Sequence, residues 1–164
     1  MPVTVRRKAG GSTAVVAGIL GLGLAGALGY LPVIEFIEYG LDGAPSRLLI
    51  VFGLYLGAGL LLFLGALVTF FRVLAGAVLL LIGGLASIAA VVAEPVLLHP
   101  GRFAEFFAAM FQFGPEASFV RVAAALGGPV VVVLSALPST FRFLRYRPPE
   151  PDYGPPLGYS PRDW

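Results

Sequence analysis

The chain's 164 residues are 58% hydrophobic and only 12% charged, with a net charge of +2. Soluble domains carry about 25% charged residues, so lipid rather than water is the solvent for most of this chain, and a balance so near neutrality excludes a nucleic-acid-binding surface. Cysteine is absent, which excludes disulfides, thiolate metal sites and a cysteine nucleophile.

Asn is also absent, removing any N-glycosylation acceptor, and Lys8 is the single lysine against ten arginines. With abundant Ala, Gly, Val and Pro, this bias matches the proteomes of high-GC bacteria. The length allows about four or five membrane spans with short loops. One compact all-α membrane domain is expected, without a separate soluble domain.

Residues 1–12 form a short leader with a basic cluster, Arg6, Arg7 and Lys8. Thr13 to Ile34 follows as an uncharged, mostly apolar run, the first predicted span. A basic leader before an apolar run also describes a signal peptide, and Ala25-Gly26-Ala27 offers a small-residue cleavage site. The run continues past that site without a polar break, which favours an uncleaved span. Ala17, Gly21, Ala25 and Gly29 recur every four residues, a flat stripe on which another backbone can pack closely.

Residues 35–47 read as the first loop, with Glu35, Glu38 and Asp42. Were the helix to continue past Pro32, these acids would share one face and could bind a cation or relay protons. Gly40, Gly43 and Pro45 predict that the helix stops before Asp42. A solvated acidic loop is then favoured, with Glu35 and Glu38 as ion-contact candidates.

Leu48 to Ala93 is 46 residues with one charge, Arg72. A single helix of that length would reach about 69 Å, against about 30 Å for a bilayer core. The run is therefore predicted to fold back at Arg72 into spans over about 48–71 and 73–93. Gly53 and Gly57 on one, with Gly83 and Ser87 on the other, are the predicted packing residues. Ser87 can satisfy its hydroxyl on the carbonyl one turn earlier. Glu94-Pro95 ends the third span, and His99, with no second His or Cys beside it, is expected on a surface loop.

Over 102–113, Phe103, Phe106, Phe107, Met110 and Phe111 fall on one helical face. About 12 residues cannot cross a bilayer, but they suit a helix lying in the interface with its rings in lipid. The same face also suits a cap over the bundle or a surface for a partner. Gly114-Pro115-Glu116 breaks the chain before the fourth span, about 118–140. Arg121 sits one turn inside it, placed to snorkel to the headgroups, to pair with Glu94 or Glu116, or to meet an anionic ligand. Pro129 predicts a kink. Arg142, Arg145 and Arg147 close the span, and the tail 148–164 holds six prolines in 17 residues, with Tyr153, Tyr159 and Trp164 able to dock on a partner.

Four spans put both termini on one side. Eight basic residues (Arg6, Arg7, Lys8, Arg72, Arg142, Arg145, Arg147 and Arg162) then share it, against Arg47, Arg102 and Arg121 opposite. The positive-inside rule makes the first side cytoplasmic, in a bacterial inner membrane. No nucleophile–base pair, zinc-protease helix motif or phosphate loop occurs, so no enzyme, catalytic residue, metal or cofactor is expected. The leading expectation is a non-catalytic accessory or assembly subunit of a larger membrane complex, a lipid or solute transporter or a respiratory complex. A small homo-oligomeric channel or transporter is the alternative.

Overall fold

The computed structural model describes residues 11–40, 45–112 and 116–145, apart from the side chains of residues 38, 39, 116 and 117. The basic leader up to residue 10, Asp42, and the tail with Tyr153, Tyr159 and Trp164 lie outside the described residues. The rest forms six helices: α1 Ser12–Tyr39, α2 Ser46–Phe70, α3 Leu74–Leu98, α4 Phe103–Phe111, α5 Glu116–Ala136 and α6 Pro138–Arg145. Four stretches are long and apolar enough to cross a membrane: Ser12–Ile37, Ser46–Phe70, Leu74–Leu98 and Ser118–Ala136. The chain is a multi-pass, all-helical membrane protein. Around its circumference, Ile19, Leu60, Phe63, Leu85, Leu126 and Val133 are exposed, the apolar coat that lipid contact requires.

The four long helices run up and down in a closed ring. α2 packs on α1 and α3, and α5 completes the ring between α3 and α1. Lipid gives helices no hydrophobic drive to associate, so tight packing and interhelical hydrogen bonds must hold them together. In the α2–α3 hairpin this demand falls on glycine. A β-carbon at Gly65 would stand 2.7 Å from the Leu80 backbone nitrogen, and one at Gly83 would stand 2.9 Å from that of Leu62. Gly76 faces the backbone of Thr69 in the same way. These pairings are centred on the Arg72–Val73 bond, so the fold-back occurs where the lone charge of the long apolar run sits. Between α3 and α5, Ser87 Oγ donates to the Ala124 carbonyl oxygen at 3.3 Å. The hydroxyl therefore bridges two helices rather than bonding back along its own.

Helix ends depart from the sequence pattern in three places. α1 continues through Pro32 and carries Glu35 and Glu38, ending at Gly40, whose φ of 69° admits glycine and whose N–H bonds the Phe36 carbonyl oxygen at 3.1 Å. α3 likewise continues through Glu94 and Pro95 to Leu98, although its end was predicted at Ala93. In both helices one hydrogen bond lost to proline costs less than freeing a whole turn of backbone inside an apolar bundle. The predicted fourth span over 118–140 is divided, because Pro138 disfavours helical geometry at Leu137 and starts α6 instead. Pro129 stays within α5.

Candidate functional site

Extending α3 past its expected end places Glu94 inside the bundle. Its side chain is only 4% exposed and faces Arg121, which enters from α5 and is 23% exposed. Arg121 Nε donates to Glu94 Oε1 at 2.8 Å and to Oε2 at 3.0 Å. Arg121 Nη2 lies 2.7 Å from Oε1. From α2, the Tyr55 hydroxyl donates to Oε2 at 2.7 Å. Three spans thus meet at one carboxylate. Glu94 lies about 6 Å of helix length from the end of α3, and Arg121 a similar distance from the start of α5.

The single Arg121 Nε–H is shared between the two oxygens of Glu94, Oε2 also accepts from Tyr55, and Oε1 is ion-paired with Nη2, so both oxygens are engaged by the neighbouring spans. The arrangement is a neutral pair with a phenol hydroxyl, closed on itself. Burial of either charge alone would be costly, and burial of both is offset by these bonds. Above the pair lies α4. Its Phe106 ring centroid is 6.0 Å from the Arg121 guanidinium carbon, and Phe106 in turn meets His99 at 5.9 Å and Phe107 at 5.6 Å between ring centroids. Glu35 of α1 also interacts electrostatically with Arg121. Among the described residues, no three His, Cys, Asp or Glu side chains come together in a way that could hold a metal ion.

The predicted site residues fall in different places. Arg121 is committed to Glu94, one of the partners the sequence offered. Glu35 is half-buried near the same end, and Glu38 lies on the last turn of α1. The aromatic face of α4 divides. Met110 is buried and Phe106 and Phe107 pack against the core, while Phe103 and Phe111 are exposed. The helix therefore caps the bundle with one edge and meets its surroundings with the other.

Of the small-residue candidates, Ala17, Gly21, Ala25, Gly83 and Ser87 face the interior. A β-carbon at Gly29, Gly53 or Gly57 would meet nothing within 4 Å, although the Gly29 backbone nitrogen lies 3.7 Å from a β-carbon built at Gly59. The close contacts of α2 run through Gly59 and Gly65 instead. Tyr55 was not singled out from the sequence. Its signal is a lone phenol hydroxyl in the middle of an apolar span, a group that needs a partner once buried. No family model matches the chain, and no curated protein or solved structure shows significant similarity to it.

Proposed function

We propose that the chain is a non-catalytic accessory or assembly subunit of a larger bacterial membrane complex, one that moves lipid or solute or carries out respiration. The observation that carries this reading is the engagement of the Glu94 carboxylate by two other spans. Among the described residues, the acid buried between spans is Glu94, and both of its oxygens are engaged by Arg121 and Tyr55. Such a group fixes the register of three helices, and its charge is already matched by an arginine rather than held open for a proton relay or a cation. The outward faces complement this role. Gly53 and Gly57 leave a shallow notch on the lipid side of α2, where a helix of a larger partner can approach closely. In the proposed orientation both termini are cytoplasmic, and the Glu94 end with α4 faces outward.

The test is purification in a mild detergent with a tag on the tail, followed by mass spectrometry of what comes with it. Stoichiometric recovery of one large membrane partner supports the reading. A homogeneous oligomer of this chain alone would overturn it and favour the channel. Two variants refine the result. Deletion of 148–164 is expected to lose the partner while leaving the bundle inserted, and Gly57→Leu is expected to weaken association without changing the thermal stability of the isolated chain.

A further inference from the structure

The end of the bundle away from Glu94 is built on different terms. Arg72, Arg142 and Arg145 lie there, whereas the carboxylates of the described helices sit at the opposite end or on α4. The ion pairs of the described residues are Arg102 with Glu105 and Arg121 with Glu94, so these three arginines have no carboxylate partner among them.

Arg72 occupies a position that chain geometry reserves for glycine. The Val73 N–H bonds the Val68 carbonyl oxygen at 3.3 Å and the Arg72 N–H bonds that of Thr69 at 2.9 Å, the pair of bonds that ends a helix with a left-handed residue. Arg72 is that residue, at φ 57°, and is the one non-glycine with positive φ among the described residues. Glycine would hold this turn without the crowding that a β-carbon brings. The turn therefore needs no arginine, and the side chain requires another reason.

That side chain is held in a definite place. The guanidinium carbon lies 4.7 Å from the centroid of the Phe143 ring. A cation over a ring face is attracted by the ring's quadrupole, and a guanidinium has five N–H donors, more than one ring contact can engage. Beside it is a cavity of about 210 Å³ lined by Ala14, Val15, Thr69, Phe70, Arg72 and Phe143. The Thr69 hydroxyl already donates to the Gly65 carbonyl oxygen at 2.7 Å, so Arg72 is the cavity's charged donor. The space takes a phosphate ester, with no room for a pair of acyl chains. Val15 and Phe70 on its rim are exposed on the lipid-facing surface.

α6 completes the surface. It leaves the line of α5 at Leu137, buries Thr140 and Leu144, and exposes Arg142 and Arg145. Its first turn is pinned to α1 by hydroxyls: Thr13 Oγ1 lies 3.1 Å from Ser139 Oγ, and Thr140 Oγ1 lies 3.3 Å from Thr13 Oγ1. A short helix with an apolar inner face and arginines outside is suited to the headgroup layer.

We propose that this end of the bundle binds the headgroup of an anionic phospholipid. Arg72 contacts the phosphate in the cavity, the acyl chains lie along Val15 and Phe70, and Arg142 and Arg145 supply the field that selects an anionic over a zwitterionic lipid. An anion with an apolar tail complements both the arginines that no described carboxylate meets and the exposed rim.

The experiment is native mass spectrometry of the detergent-purified full chain, equilibrated with equal amounts of phosphatidylglycerol and phosphatidylcholine. Phosphatidylglycerol is expected to be retained preferentially. Arg72→Asn, which tolerates the left-handed turn, should reduce that retention by about fivefold, and Arg142→Gln with Arg145→Gln by about fivefold per arginine at most. Arg47→Gln at the opposite end should leave it unchanged, and far-UV circular dichroism confirms that each variant is folded. Equal retention of the two lipids, or retention indifferent to Arg72→Asn, overturns the proposal. Displacement of bound phosphatidylglycerol by millimolar inorganic phosphate also overturns it, because the site would then take a free anion.

Discussion

Removal of the Arg121 side-chain charge is expected to destabilise the protein more than removal of the Glu94 charge, and the exposures of the two groups set the order. Losing one partner of a buried ion pair costs about 3–5 kcal/mol, because the other charge is left uncompensated. In Arg121→Gln the abandoned group is Glu94, 4% exposed, with only Tyr55 still donating to it. The upper part of that range, about 4 kcal/mol, is expected. In Glu94→Gln the abandoned group is Arg121, 23% exposed and one turn from the end of its span. Its long side chain can swing toward the headgroups, so about 2–3 kcal/mol is expected. Tyr55→Phe removes one hydrogen bond from a carboxylate that keeps its arginine. Side-chain hydrogen bonds in membranes average about 0.6 kcal/mol and reach about 1.7 kcal/mol, and a loss of about 1 kcal/mol is expected here. Replacing both charges, Glu94→Leu with Arg121→Met, should recover stability to within about 1 kcal/mol of the parent. The assay is reversible unfolding in dodecyl maltoside micelles titrated with dodecyl sulfate, followed by far-UV circular dichroism. If both single charge removals cost no more than about 0.5 kcal/mol, as for an exposed pair, or if Glu94→Gln costs more than Arg121→Gln, the argument from burial fails.

The same unfolding assay separates two kinds of glycine. Gly65→Val drives a side chain into the Leu80 backbone and is expected to cost at least about 1–3 kcal/mol, whereas Gly53→Ala, with open space at its β-carbon, should be neutral or stabilising by up to about 1 kcal/mol. On α4, Met110→Ala should cost about 2 kcal/mol because Met110 is 3% exposed, and Phe111→Ala, at 51% exposure, no more than about 0.5 kcal/mol. Equal losses at the two positions would mean that α4 does not cap the bundle. Because the chain has no cysteine, orientation can be read with single introduced thiols. Arg102→Cys should react with an impermeant maleimide on intact cells and Phe71→Cys only after lysis, and the reverse pattern would invert the topology.

The span count and the fold-back at Arg72 were legible because they rest on length and charge, and the bilayer makes both nearly binding. What the pattern misjudged were the stops. Glu94-Pro95 reads as a terminus in water, where a charge and a missing N–H both favour leaving the helix. Inside a bundle the neighbouring turn has no water to bond, and α3 runs on to Leu98. The consequence is functional as well as structural, because Glu94 changes from a loop acid into the centre of the ion pair. The small-residue stripes were legible as a class but not by face. Gly57 and Gly65 look alike in sequence, and only the rotation of α2 against α3 decides which of them meets backbone.

The two ends of the bundle handle charge in opposite ways, and that contrast bears on how the chain is used. At the Glu94 end the spans supply both signs and neutralise them internally, with Phe106 covering the arginine. At the Arg72 end the described helices supply one sign only, and one of those arginines stands in a conformation that glycine would hold without crowding. A protein that needed only to insert could place its basic residues on flexible loops, where they cost nothing in backbone geometry and still set orientation. Arg72 instead stands in a three-residue turn, over the ring of Phe143 and beside a cavity. The closed end accounts for the bundle's register, and the open end, where no described carboxylate meets the arginines, is the one proposed to take a headgroup. The proposed subunit role draws on the first end and the proposed lipid site on the second, and the two can be tested independently because no residue is shared between them.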